Sequence, residues 1–126
     1  MDRFADTINT IKTHELLGRR ECSVYSTKLV RAVLDVMKRE GYIGGYEEYT
    51  EGRARMLRVA LSNRINDIGV IKPRFSAGKD DIQKYEARYV PSKDFGMLVI
   101  STSKGVMTSR DVKQQNIGGK LLAYVY

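Results

Sequence analysis

Apolar positions near the N-terminus recur at helical spacing. Phe4, Ile8 and Ile11 lie four and three residues apart, so one face of a helix is apolar. That helix runs out near Leu17, with Gly18 placed to end it. Residues 19–25 alternate polar and less polar side chains and predict a strand. Ser26-Thr27-Lys28-Leu29-Val30-Arg31 opens a second helix under a hydroxyl cap, with Leu29, Val33, Val36 and Met37 facing inward and Gly41 stopping it. Two strands follow, residues 42–50 and 55–61, around a turn at Glu51-Gly52-Arg53. In the second strand Leu57, Val59 and Leu61 face one way, while Met56, Arg58 and Ala60 face the other.

A second set of elements begins near Asn66-Asp67. Residues 68–71 form a short apolar strand ended by Pro73. Residues 80–89 read as a helix with Ile82, Tyr85 and Tyr89 along one stripe, closed by Pro91. Met97-Leu98-Val99-Ile100, bounded by Gly96, is short and branched and predicts a buried strand. A hydroxyl-rich loop follows, Ser101-Thr102-Ser103-Lys104-Gly105-Val106-Met107-Thr108, and then a short helix over 109–116 capped by Thr108 or Ser109. Gly118-Gly119 turn the chain into a last strand at 121–126. The order is helix, strand, helix, two strands, then strand, helix, strand, short helix, strand. That pattern is α+β, in two small lobes of a few strands packed with short helices, residues 1–65 and 66–126. A chain of 126 residues is too short for two independent domains, so the lobes are expected to share a core.

Charge narrows the range of partners. Twenty-two Lys and Arg against fifteen Asp and Glu give a net charge of +7, and the pI of about 9.6 is the electrostatic footprint of a nucleic-acid binder. No apolar run approaches the roughly 18 residues of a membrane span, and the segment from Met1 to Asp6 lacks the plan of a signal peptide. Cys22 is the one cysteine, so no internal disulfide forms and a reducing, cytosolic setting is expected.

Catalytic patterns fare poorly. Ser101-Thr102-Ser103-Lys104 matches S-x-x-K, but that motif needs serine and lysine one helical turn apart, and Ser101 ends a predicted strand. His14 is the only histidine and sits beside Glu15 near a helix end, without a nucleophile to serve. Cys22 reads as a packed thiol. The carboxylate pairs Glu47-Glu48 and Asp80-Asp81 are adjacent and diverge, and no spacing of Cys and His suits a metal. Gly118-Gly119-Lys120 is followed by Leu121 rather than Ser or Thr, which excludes a phosphate loop. No catalytic residue, cofactor, metal or small-molecule substrate is therefore expected.

RNA binding fits the polar residues better. The wide minor groove of an RNA helix displays 2′-hydroxyls that small hydroxyl side chains match. Ser101, Thr102 and Ser103 can donate or accept there, Lys104 suits a phosphate, and Gly105 lets the backbone approach. The start of the second helix offers Ser26, Thr27, Lys28 and Arg31 to a phosphate, and capping by one of the hydroxyls is compatible with that contact.

These residues carry a resemblance. The run from Ser101 to Thr108, followed ten residues later by Gly118-Gly119-Lys120-Leu121-Leu122 and a closing aromatic, resembles the C-terminal signature of the small-subunit ribosomal protein eight family. The opening helix from Asp6 to Thr13, Ser26-Thr27-Lys28-Leu29, and Lys38-Arg39-Glu40-Gly41-Tyr42-Ile43 are similar to that family's first half, so the likeness spans essentially the whole chain. Ile71-Lys72-Pro73-Arg74-Phe75 and Gly44-Gly45-Tyr46-Glu47 look like its archaeal and eukaryotic branch, and the loop resembles archaeal members. The resemblance implies a structural constituent of the small ribosomal subunit, cytoplasmic in the ribosome. It would bind the central domain of small-subunit rRNA early in assembly, beside neighbouring small-subunit proteins. It implies that Ser101, Thr102, Ser103, Lys104, Gly105 and Thr108, with Gly118 and Gly119, form the main contact, and that Ser26, Thr27, Lys28 and Arg31 add backbone contacts. Bacterial members carry glutamate where this chain has Lys120, so a contact made by that glutamate does not transfer. Bacterial members also repress their own operon, and a stand-alone regulator acting on an mRNA element is the alternative reading.

Overall fold

The computed structural model describes residues 3–92 and 95–126. Met1 and Asp2 lie outside the described residues. The chain divides into two compact units, residues 1–65 and 66–126.

In the first unit, helix α1 (Arg3–Leu16) leads into strand β1 (Glu21–Tyr25), helix α2 (Lys28–Arg39) and the strands β2 (Ile43–Glu51) and β3 (Ala54–Leu61). The strands form an antiparallel sheet in the order β1-β3-β2. Phe4, Ala5, Ile8 and Ile11 are the buried stripe of α1, and Gly18 ends it with φ +71°. Cys22, Val24, Leu57, Val59 and Leu61 form the buried face of the sheet, in strict alternation with exposed or half-buried positions. On the outward face, the register places Tyr25 opposite Met56 and Met56 opposite Tyr49. Helix α2 begins under Thr27, whose hydroxyl accepts from the Val30 amide at 3.0 Å. Its buried residues are Val30, Val33, Leu34, Val36 and Met37. Val33, Val36 and Met37 are buried as expected, whereas Leu29 is only half-buried and Val30 takes the inward position of the first turn. The Tyr46 hydroxyl donates to Asp35 at 2.6 Å and ties β2 to α2; that bond, with burial, pushes the phenol pKa up to about 12.

The second unit holds β4 (Ile68–Val70), β5 (Ser76–Ala77), α3 (Ile82–Tyr89), β6 (Met97–Thr102), β7 (Gly105–Thr108), α4 (Ser109–Gln115) and β8 (Gly119–Val125). The sheet runs β4-β8-β6-β7, with β5 also pairing with β8. Ile82, Leu98, Ile100, Val112 and Leu121 centre a core that Phe75, Tyr85, Tyr89 and Tyr124 flank. Two strands were not expected. β5 has two residues, too few for any periodicity, and β7 is hidden inside the hydroxyl-rich run that reads as a loop. The strand that was expected to stop at Ile100 instead continues through Thr102, so Ser101 and Thr102 are strand residues.

Candidate nucleic-acid interface

β6 and β7 form a hairpin with Thr102 paired to Gly105, leaving Ser103 and Lys104 as a two-residue loop. Tight hairpin loops usually need positive φ in the loop itself. Here neither loop residue has it, and Gly105 takes φ +117° immediately afterwards. The Thr102 side chain closes the turn: its hydroxyl donates to the Gly105 carbonyl at 2.8 Å and accepts from the Lys104 amide at 3.0 Å. Such local side-chain bonds substitute for missing backbone bonds in turns. The three hydroxyls are therefore not equivalent. Thr102 is committed to the turn, Ser101 is half-buried opposite Val106 and Lys120, and Ser103 stands exposed at the tip beside Lys104. Neither tip side chain bonds to another described residue.

Gly119 seats this hairpin on β8, and Gly118 seats the chain against the end of β5. A Cβ on Gly119 would run into the Ser101 carbonyl oxygen and meet Ile100 Cγ2 at 2.8 Å and Thr102 Cγ2 at 3.0 Å. A Cβ on Gly118 would strike the Ala77 carbonyl and meet the Gly78 Cα at 2.9 Å. Only bare backbone lets β8 lie against the root of the hairpin. Thr108 corrects the sequence reading. It is 1% exposed, and its hydroxyl accepts from the Asp111 amide at 3.1 Å while the Asp111 carboxylate accepts from the Thr108 amide at 3.2 Å. This reciprocal capping box puts Thr108 under the hairpin as support, not on its surface. Ser109, equally buried, accepts from the Leu98 amide at 3.2 Å.

A second polar cluster lies at the start of α2. The Arg31 guanidinium donates to the Ser26 hydroxyl at 2.8 Å, which leaves the Ser26 proton free to donate outward. Lys28 is exposed beside them. The hairpin belongs to the second unit and the α2 start to the first. The sequence reading missed a convergence in the first unit. Arg3, Arg53 and Arg55 line one groove with Tyr25 and Ser26, drawn from three elements with no local pattern to announce them.

Reactive groups elsewhere are muted. Burial, then the nearby Glu15 and Glu21 carboxylates, push the Cys22 thiol up to about 11, which keeps it protonated and unreactive near neutrality. His14 Nδ1 lies 2.8 Å from the Thr10 carbonyl in its own helix. Among the described residues no cluster of His, Cys, Asp and Glu could hold a metal, and no helix is long and apolar enough to cross a membrane.

The family model described as Ribosomal protein S8 matches residues 2–126. The chain belongs to the ribosomal protein S8 family. Its relatives include the small ribosomal subunit protein uS8 of Archaeoglobus fulgidus, 44% identical over all of this chain and 98% of that protein. The same-named protein of Thermoplasma volcanium is 45% identical over 99% of this chain and 98% of its own length. That of Methanosphaerula palustris is 44% identical over 98% and 95%. All three sources are archaeal, in line with the resemblance of the 101–108 loop to archaeal members and of residues 44–47 and 71–75 to the archaeal and eukaryotic branch.

Proposed function

We propose that this S8-family chain is a structural constituent of the small ribosomal subunit that binds small-subunit rRNA and contacts neighbouring ribosomal proteins. The finer reading is that it binds the central domain of that rRNA, with the β6–β7 hairpin as the main contact. One observation carries the assignment to the hairpin. Thr102 spends its hydroxyl on the turn, so that Ser103 and Lys104 project from a rigid two-strand support with their own groups free. A hydroxyl and an ammonium fixed side by side suit a 2′-hydroxyl and its adjoining phosphate. Gly105 adds backbone that a nucleotide can approach, since no atom lies within 4 Å of a Cβ built there. Ser26, Lys28 and Arg31 supply phosphate contacts from the first unit, and Thr27 holds their helix start in place. No step of this role calls for a catalytic group or a cofactor.

The test is binding to a central-domain rRNA fragment against an unrelated structured RNA, at low and physiological salt, since an affinity at one salt concentration is uninterpretable. Tight binding that survives salt on the rRNA alone supports the reading, and equal salt-labile binding to both RNAs overturns it. Lys104→Ala should lower the salt slope by about one unit with a modest loss of affinity. Ser103→Ala should weaken the specific site and leave non-specific binding intact. Equal loss of both kinds of binding in both variants would show that the tip does not divide its roles this way.

A further inference from the structure

The reading above places phosphate contacts at the start of α2 but gives no account of Tyr25, which is 50% exposed at the end of β1. Its ring forms a wall between two grooves of the first unit. The first, about 510 Å³, is bordered by Arg3, Ser26, Glu51, Arg53 and Arg55. The second, about 250 Å³, lies between α1 and the sheet and is bordered by Arg3, Asp6, Thr7, Thr10 and Met56. Arg3 spans both, with its Cζ 4.8 Å from the centroid of the Tyr25 ring.

The chemistry of the grooves differs. Three guanidinium groups against one carboxylate make the first groove cationic, and neither Arg53 nor Arg55 is in an ion pair with a described residue. In the second groove both threonine protons are already used: Thr7 donates to the Arg3 carbonyl at 2.9 Å and Thr10 to the Asp6 carbonyl at 2.8 Å. Among the described residues beside the Tyr25 and Met56 surfaces, the Asp6 carboxylate is the one charged acceptor. The Arg3 guanidinium and the Ser23 hydroxyl, which accepts from Tyr49 and keeps its own proton, are donors. A cationic groove joined across an aromatic ring to an apolar groove with an acceptor matches the parts of one nucleotide.

We propose that the grooves flanking Tyr25 bind a single unpaired nucleotide of RNA. Its phosphate lies against Arg53 and Arg55, and its base packs on the Tyr25–Arg3 pair. An exocyclic amino group donates to Asp6. This rests on the reading of the first unit as an rRNA-contacting surface and extends it from backbone contact to base recognition. Unpaired bases are what proteins read in RNA, by stacking on aromatic or guanidinium planes and bonding to base edges. The Asp6 carboxylate favours cytosine, adenine or guanine, whose exocyclic amino group offers protons at the base edge, over uracil, whose one base donor is the ring N3–H.

The experiment titrates the full chain with hexacytidylate and hexauridylate, pyrimidine probes of like size that differ in the amino group, and follows backbone amide and arginine side-chain NMR signals. Hexacytidylate should bind several-fold more tightly and move the signals of Arg3, Tyr25, Arg53 and Arg55. Tyr25→Leu should weaken it by at least about fivefold. Asp6→Asn should remove the preference for hexacytidylate while leaving hexauridylate binding in place, a readout that a misfolded variant could not give. Equal affinity for the two probes, shifts confined to the β6–β7 hairpin, or full affinity in Tyr25→Leu each overturns the proposal. Absence of any shift in the grooves at low salt also overturns it and returns the surface to a protein partner. The hairpin reading fails separately, if Lys104→Ala leaves rRNA-fragment binding and its salt slope unchanged.

Discussion

The Thr102 hydroxyl donates to the Gly105 carbonyl at 2.8 Å across the mouth of the β6–β7 hairpin, and the same oxygen accepts from the Lys104 amide at 3.0 Å. One side chain thus sets the conformation of a loop whose two residues lack the backbone geometry that usually closes such turns. Thr102→Val keeps the branched shape and the strand preference while removing both bonds. At an exposed site each bond contributes about 1 kcal/mol or less, so the fall in melting temperature should be a few degrees. Affinity for the rRNA fragment should fall by about tenfold, since a loosened tip must be ordered on binding. Thermal melts and titrations on the same variant check this, and unchanged affinity would show that the turn needs no help from Thr102.

Gly119 and Gly105 should both resist substitution, for different reasons. A Cβ on Gly119 meets the Ser101 carbonyl, Ile100 and Thr102, so Gly119→Ala forces β8 away from β6 at about 1–3 kcal/mol. Nothing lies within 4 Å of a Cβ on Gly105, but its φ of +117° strains any side chain. Urea unfolding measures both losses. Amide exchange tells them apart: protection should fall along the β6–β8 ladder in Gly119→Ala and only at the tip in Gly105→Ala.

Local signals were legible and non-local ones were not. Phe4, Ile8 and Ile11 announce α1 because helical spacing is written within one turn, and Leu57, Val59 and Leu61 announce the buried face of β3 because strand alternation needs only neighbours. Thr27 and Thr108 are readable as caps for the same reason. The strand character of residues 105–108 depends instead on pairing with β6, which the composition of the run conceals. The resemblance places Thr108 in the RNA contact with its neighbours in the run, whereas the folded chain buries it and uses its hydroxyl to cap α4. The grooves around Tyr25 depend on the register of β1 with β3 and on where α1 begins, information that no window of sequence holds.

Lys113 Nζ lies 2.7 Å from Glu86 Oε1 and ties α4 to α3, with the Glu86 side chain 4% exposed and that of Lys113 36%. The asymmetry of burial makes the two halves of the pair unequal. Lys113→Met leaves a buried carboxylate with no cation and should cost about 1–3 kcal/mol. Glu86→Gln leaves a lysine that can turn to water and should cost less. Glu86→Leu combined with Lys113→Met should recover most of the loss, because neither charge is then buried. Chemical denaturation of the three variants gives the order, and equal single-variant losses would mean that the pair acts as an ordinary surface contact.

Glu15 is the buried carboxylate of the first unit. It is 8% exposed, and its Oε2 has no hydrogen-bond partner among the described residues. Burial raises its pKa above the ordinary 4.5, and a hydrogen bond from the Ile65 backbone only partly offsets the shift. The folded state therefore holds a proton on Glu15 more tightly than the unfolded chain does. The ionised carboxylate destabilises the fold at neutral pH; that penalty is relieved as pH falls through the raised pKa and is absent below the ordinary value. Glu15→Gln removes the charge and can still accept from Ile65, so it should raise the urea midpoint at pH 7 by a modest margin that vanishes near pH 4. The thiol of Cys22 titrates at the other end of the range. Raised from 9.0 to about 11 by burial first and by Glu15 next, it ionises in the unfolded chain before the folded one, so stability should decline as pH rises past nine. That decline begins where the unfolded thiol ionises, so its onset is unchanged in Glu15→Gln; losing the carboxylate lowers the folded pKa of Cys22 and makes the decline shallower. Since burial is the larger cause, the alkaline limb should move little while the gap near pH 7 opens. Urea midpoints of both proteins from pH 4 to pH 10 decide it, and a constant gap across that range would place the effect of Glu15 in packing and not in charge.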